Sequence, residues 1–194
     1  MSKTLVYSFA PFGNLQSNPA AEVATKIHAS QSQCSLCIIP VTFRCQKELL
    51  SAFIETKPDR IIGFGVAAGI PNVHVECYAL NEIHARIPDN EGSQPSLVPI
   101  LPHGPLAYRT TMDVEKIVTD LHAHTIPAAL SFHAGLYVCN FSYYWTLHLC
   151  RLHQLEGLFI HVPLSPKEAI QQKSAHSSFP PSMVADALTR ALFS

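Results

Sequence analysis

Cysteine and histidine carry most of the nucleophilic and proton-transfer chemistry open to this chain, which holds six of the first and eleven of the second. Cys139 has the most informative setting. It lies in His133-Ala-Gly-Leu-Tyr-Val-Cys-Asn140, which reads as a strand, a turn at Gly135 and a helix opening near the thiol. The start of a helix offers unpaired backbone N–H groups and the positive end of the helix dipole. Both favour thiolate, the form that attacks, and the same N–H groups suit an oxyanion. A cysteine taken alone is more often a packing residue, and that reading stays open at this point.

His161 ends an apolar run, Gly157-Leu-Phe-Ile-His-Val-Pro163. Carboxyl ends of strands are where open α/β sheets bind ligands, and a neutral imidazole there takes a thiol proton and returns it to a leaving amine. A core histidine bonded to backbone is the alternative. Glu76 sits within the strand-like Asn72-Val-His-Val-Glu-Cys-Tyr-Ala-Leu-Asn81. A carboxylate in an apolar strand is costly unless paired, and accepting the second N–H of His161 would pair it and fix the tautomer. An edge-strand glutamate facing water is the alternative, and His74 and His84 are further candidates near the same run.

Metal patterns are weak. Cys34-Ser-Leu-Cys37 has the CxxC spacing but no second pair at zinc-ribbon distance. It also falls in an apparent strand, where residues three apart face opposite sides. His122-Ala-His124 and His148 with Cys150 and His153 are looser still, so no metal site is expected. Gly63-Phe-Gly65-Val-Ala-Ala-Gly69 lacks the lysine of a P-loop and the spacing of a dinucleotide fingerprint. It reads as a tight strand-to-loop turn near a ligand.

These residues need elements to position them. Nearly continuous apolar runs predict strands over Thr4–Phe9, Cys34–Phe43, Arg60–Gly65, Val73–Leu80, Ala128–His133 and Leu158–Val162, as for strands buried on both faces. Helices are predicted between them. Pro19–Ala29 follows Asn18 as N-cap, and Gln46–Glu55 gathers Leu49, Leu50 and Phe53. Asp113–His122 puts Val114, Ile117, Val118 and Leu121 on one face, Asn140–Leu152 repeats the pattern, and Ser182–Leu192 closes the chain. Alternating strands and helices predict a single-domain three-layer α/β/α sandwich over residues 1–194, with a twisted, mixed but mostly parallel sheet. Arg86–Tyr108 carries five prolines and almost no periodicity, so it reads as a long functional loop. Ser165–Pro181, polar and with three prolines, reads as a mobile surface segment.

Composition excludes several classes. Hydrophobic residues make up 47% and charged residues 14%, with a formal net charge of −1. Neither disorder nor an electrostatic case for nucleic acid or an anionic membrane follows. No run approaches the roughly 20 apolar residues of a membrane helix, and the N-terminal apolar stretch is too short for a signal peptide. A cytoplasmic location with free thiols is the expectation.

The chain also resembles pyroglutamyl peptidase type I, the pyrrolidone-carboxylate peptidase family of cysteine peptidases. The motifs that carry the likeness run in family order. They are Phe9-Ala-Pro-Phe-Gly13 with Asn18-Pro19, Lys57-Pro-Asp-Arg-Ile61, Glu76 with Ala79 and Asn81, and Ala85-Arg-Ile-Pro-Asp-Asn-Glu-Gly92 with Gln94-Pro95. Gly104-Pro105 with Ala107-Tyr108, Ala134-Gly135 with Val138-Cys-Asn140, and Phe159-Ile-His-Val-Pro163 complete them. The Ala85–Gly92 run is the most specific and accounts for the long loop.

The resemblance implies a triad of Cys139 as nucleophile, His161 as base and acid, and Glu76 as orienter. It implies that Phe9 and Phe12 wall a slot for a five-membered lactam, with Asn18, Val66, Ile87 and Tyr137 around it and Arg86 near the oxyanion region. It further implies small peptide substrates with an N-terminal pyroglutamate, no cofactor, and assembly as a dimer or tetramer. Where the family usually shows Gly-Gln-Ala-Gly-Gly-Arg, this chain has Gly65-Val-Ala-Ala-Gly-Ile70. The family's doubled glycine is Gly13-Asn14, and His133 and Leu136 flank the nucleophile turn where small or hydroxyl residues are common. Val66 and Ile70 keep two alternatives open: hydrolysis of another small acyl amide, or a weakly catalytic or non-catalytic binding relative.

Overall fold

A computed structural model describes residues 2–13, 16–173 and 177–193 of the chain. Asn14, one of the departures noted above, lies outside the described residues, as do residues 174–176 of the polar segment. In chain order the elements are β1 (Thr4–Phe9), α1 (Pro19–Ser30), β2 (Cys34–Ile39), α2 (Gln46–Thr56), β3 (Arg60–Val66), β4 (Val73–Glu76), β5 (Tyr78–Leu80), β6 (Ile83–His84), β7 (Ser96–Val98), β8 (Ala107–Arg109), α3 (Val114–Ala123), β9 (Ala128–Ser131), α4 (Val138–His153), β10 (Glu156–Val162), α5 (Pro166–Gln171) and α6 (Pro181–Phe193).

Six strands form the central sheet in the order β2-β1-β3-β10-β4-β9. All neighbours are parallel except β10 and β4. Helices α1, α3 and α6 pack on one face, α2 and α4 on the other, which is the mixed three-layer α/β/α arrangement expected. Strand alternation builds both cores. Leu158, Ile160 and Val162 of β10 enter the cluster under α1, α3 and α6, whereas Phe159 enters the one under α4 with Tyr7, Phe9 and Tyr143. The same alternation sends Cys34 to one face and Cys37 to the other, which is why the CxxC pair cannot converge. All six cysteines are free thiols. Among the described residues no helix is long and apolar enough to cross a membrane.

Several boundaries differ from the sequence expectation, each for a physical reason. β2 stops at Ile39 because Pro40 has no N–H for the ladder, and the predicted continuation to Phe43 is loop. The run Val73–Leu80 breaks at Cys77 into β4, in the main sheet, and β5, which pairs with β8 in a separate ribbon. The Cys77 N–H goes to the Ser131 carbonyl and its own carbonyl accepts from Thr110 N–H, so both sides of the break stay bonded. β9 ends at Ser131, short of His133. β3 runs one residue past the predicted Gly65, to Val66, and the strand-to-loop turn follows it. A Cβ on Gly63 would sit 2.3 Å from the Tyr7 ring, so close ring packing excludes a side chain there. Ser165–Pro181 contains α5, whose Glu168 and Ala169 are buried, in place of a wholly exposed segment.

The long loop Arg86–Tyr108 contains β7, paired with β6, and opens into β8. Its local organiser is Asp89. That buried carboxylate accepts from Phe43 N–H at 2.8 Å, Glu91 N–H at 2.9 Å and Ser93 N–H at 2.8 Å, while Asn90 N–H donates to the Val41 carbonyl. The loop is thereby fastened to the chain leaving β2. Burial alone would raise the Asp89 pKa, but the N–H bonds outweigh it and hold the carboxyl below its ordinary 3.8. Asp89→Ala is expected to cost about 3 kcal/mol, because it leaves three donors without their acceptor. The check is a lower denaturant midpoint at unchanged m. In the wild type this contribution is present above the ordinary aspartate value and fades as pH falls below it.

Candidate active site

The site forms where β3 and β10 end side by side, with α4 starting above them. His161 pairs with Gly65 on one side and with His74 on the other, while Glu76 pairs with Phe159. Glu76 and His161 are therefore diagonal neighbours on the same sheet face, a spacing that long side chains bridge. His161 Nδ1 lies 2.7 Å from Glu76 Oε1, and since a carboxylate only accepts, the imidazole Nδ1–H is the donor. Both residues are buried, Glu76 at 1% exposure and His161 at 7%. Tyr143 Oη donates to the Glu76 carbonyl at 2.9 Å, securing the strand end that presents the carboxylate. Glu76 Oε2 has no hydrogen-bond partner among the described residues.

Cys139 is the second residue of α4, whose N-cap Tyr137 makes no side-chain capping bond. The first-turn N–H groups thus have neither a helical partner nor a cap. The thiol stands directly over β3. A Cβ on Gly65 would lie 3.1 Å from Cys139 Sγ and 2.9 Å from the Phe159 ring, so glycine at 65 is what lets the helix start approach the sheet. With Nδ1 taken by Glu76, Nε2 is the nitrogen left to face Cys139, whose thiol stands over Gly65, the residue paired with His161 across the sheet. Burial by itself would lower the His161 pKa. Its interactions with Cys139 and with the Glu76 carboxylate override this and raise the group from 6.5 to about 10. The Phe159 ring stands edge-on to the imidazole at 5.0 Å.

Cys139 opens onto a cleft of ≈ 930 Å³ that is also lined by Phe9, Phe12, Asn18, Val66, Arg86, Ile87 and Tyr137. The structure thus gathers all seven expected pocket residues beside the thiol, with Glu76 and His161 behind the wall. Their parts differ. Phe12 packs on Tyr137 at 5.7 Å, and Tyr137 on Phe43 at 5.4 Å. Tyr137 Oη donates to the Pro88 carbonyl at 2.9 Å, joining the aromatic wall to the long loop. The Asn18 amide is turned inward: Nδ2 donates to the Phe9 carbonyl at 3.0 Å and Oδ1 accepts from Ala20 N–H at 3.0 Å. It braces the wall and caps α1. Of the two departures at and after the end of β3, Val66 lines the cleft; Ile70 is not among its lining residues. Leu136 lines it, and His133 Nδ1 accepts from Gly135 N–H at 3.2 Å inside the turn before α4.

Of the other histidines considered, His74 lies across from His161, but the carboxylate bond goes to His161. Burial pushes His74 below its ordinary pKa, with Glu76 opposing and His161 reinforcing the shift. His84 lies on the cleft, its Nδ1 3.0 Å from Ser96 Oγ. Residue-by-residue reading missed Asn140. Its Oδ1 accepts from Leu80 N–H at 2.9 Å, and its Nδ2 donates to the carbonyls of Leu80 at 2.8 Å and Glu82 at 3.1 Å. This clamps the start of α4 to the chain between β5 and β6. An asparagine directly after Cys139 was the available signal.

Known proteins resemble this chain over almost its whole length. A family model described as pyroglutamyl peptidase matches residues 2–193. The pyrrolidone-carboxylate peptidase of Enterococcus faecalis is 38% identical over 196 residues, covering 98% of this chain and 90% of that protein. That of Pyrococcus furiosus is 40% identical over 188 residues, covering 93% and 89%. Among solved structures, pyrrolidone carboxyl peptidase from Thermococcus litoralis superposes with a TM-score of 0.92 at 33% identity, covering 99% of this chain and 92% of that one. Pyroglutamyl peptidase I from Bacillus amyloliquefaciens gives 0.91 at 34% identity, covering 98% and 95%.

The raised His161 pKa fixes a sign. A group whose pKa is higher in the fold than in the unfolded chain contributes stability below its unfolded value, and loses it as pH climbs through the folded value. The Glu76–His161 contribution is expected to be complete below pH 6.5 and to fade toward about 10. In Glu76→Gln the imidazole should titrate at lower pH and stability should fall less over that window. Histidine NMR titration and denaturant melts across the range check both.

Proposed function

This chain belongs to the pyroglutamyl peptidase family, and from that premise we propose that it removes N-terminal pyroglutamyl residues from peptides through a Cys139–His161–Glu76 triad. It is a cysteine peptidase, so the thiol supplies the nucleophile. In this reading the Cys139 thiolate adds to the pyroglutamyl acyl carbonyl. The resulting oxyanion is met by first-turn N–H groups of α4. The His161 imidazolium gives its proton to the departing amine, leaving an acyl-thioester on Cys139. Neutral His161 then takes a proton from water, which attacks the thioester and releases pyroglutamate. Glu76 keeps Nδ1–H in place throughout, so that Nε2 always faces the chemistry.

The observation that carries this reading is the 2.7 Å bond from a buried imidazole to a buried carboxylate, on a histidine paired across the sheet with Gly65, over which stands Cys139, the one cysteine lining the cleft. The aromatic walls Phe9 and Phe12 suit the flat apolar faces of a lactam ring. The same reading includes a single catalytic domain, a cytoplasmic setting supported by six free thiols, and a dimer or tetramer supported by exposed Leu97 and Leu106. Val66 favours one second reading. An apolar side chain at the end of β3, lining the cleft, suits acyl groups less polar than a lactam, and the reaction would then be hydrolysis of another small acyl amide.

A pyroglutamyl-amide fluorogenic reporter separates these. Cleavage in preference to other acyl amides is expected, with Cys139→Ser and His161→Ala each lowering kcat by at least about a thousandfold. Preference for a different acyl group would replace the first reading with the second. Folded wild-type protein that turns over neither would overturn both.

A further inference from the structure

Glu168 lies outside the triad and does not line the cleft, yet it is fully buried, at 0% exposure. Ser165-Pro-Lys-Glu168 has the form of a capping box at the start of α5. Ser165 is the N-cap and its hydroxyl accepts from Glu168 N–H. In an ordinary box the glutamate reaches back to the backbone N–H of its own cap. Here the carboxylate does something else. Oε2 accepts from the Ser165 hydroxyl, and Oε1 accepts from the Ser17 hydroxyl at 2.6 Å, across 151 residues of chain. Helix capping does not require the bond to Ser17. A buried carboxylate is costly unless its oxygens are bonded, and both are. Burial would raise this carboxyl, but the two serine bonds outweigh it and hold it below its ordinary range.

What the bond joins gives it a purpose. Ser17 comes after Phe12 and Gly13 in the chain, and both of those line the cleft. Next to it, Asn18 Nδ2 donates to the carbonyls of Phe9 and Ala10. Asn18 thus holds the chain that enters the wall, and Glu168 holds Ser17 beside it. On the other side, Ser165 directly follows Leu164, and α5 leads to Gln172; both line the cleft. One carboxylate therefore ties the aromatic wall to the chain that leaves His161.

Resting on the peptidase reading above, we propose that Glu168 is a positioning residue that fixes the Phe12 wall of the acyl slot, and so sets substrate affinity without taking part in bond making. Ser17→Ala is the gentlest test, since Ser17 is half-buried and the change removes a single donor. It should raise KM for the pyroglutamyl reporter about tenfold, the scale of one charge-assisted hydrogen bond. Both kcat and the rate of Cys139 alkylation by iodoacetamide should stay within about twofold. Glu168→Ala should raise KM further. Glu168→Gln should recover part of the loss, because its amide oxygen still accepts from Ser17 and its amide nitrogen can donate to Ser165 Oγ. Hydrogen exchange over residues 9–13 should speed up in Ser17→Ala and in Glu168→Ala, whatever the substrate. An unchanged KM in Ser17→Ala, or kcat and alkylation falling as KM rises, would overturn the proposal. If the wild type does not cleave the reporter, the peptidase reading fails by itself. Exchange then decides: faster exchange over residues 9–13 upholds the tether and unchanged exchange overturns it.

Discussion

A carboxylate at 1% exposure is tolerable only with a partner, and the bond from Glu76 to His161 supplies it. Much of the site follows from meeting that demand. β4 is the one strand that runs against its neighbour β10. Because of that reversal the chain reaches Glu76 while moving away from the cleft end of β10, which places the carboxylate beneath the imidazole and not beside it at the mouth. The thiol is left as the residue of the three that meets the cleft. The same bond fixes the imidazole tautomer, and together with Cys139 it keeps the ring charged well past the ordinary histidine range.

Bringing a helix start down onto the sheet at that point needs room, and β3 provides it by omitting side chains. Gly63 accommodates the rings of Tyr7 and Phe159, and Gly65 accommodates Cys139. Around this dense centre the cleft walls come from long connections: the segment bearing Phe12, the loop organised by Asp89, and the chain leaving β10. Each is held by a buried polar group, Asn18, Asp89 or Glu168, that satisfies backbone or hydroxyl donors from distant stretches. Loops fixed this way give a shaped slot without being part of the sheet.

Some of this was legible locally. The apolar run of β10, the spacing of Val114, Ile117, Val118 and Leu121 on α3, and the Asn18-Pro19 cap specify their elements because period and capping chemistry act within a few residues. The strand–turn–helix reading around Cys139 came out with α4 opening two residues earlier than expected. Other features were hidden for a definable reason. Val73–Leu80 alternates in one continuous pattern, yet Cys77 divides it between two sheets, since pairing partners and not propensity decide where a strand ends. Gly63 and Gly65 were expected inside their strand, but sequence records only the missing side chain and not the ring that fills its place. Ser165–Pro181 read as surface because its burial rests on Ser17, far away in the chain.

The sequence by itself determined the fold class, the order of elements and the reactive side chains available, and its motifs carried a resemblance that proposed Cys139, His161 and Glu76 together. It did not determine their meeting. His161 and Glu76 are 85 residues apart, and nothing local to either states that they touch. The direction of β4 and its register on β10 are set by packing of both sheet faces at once. That register sets His74 directly across from His161 and Glu76 on the diagonal, from which its carboxylate reaches the ring nitrogen at 2.7 Å.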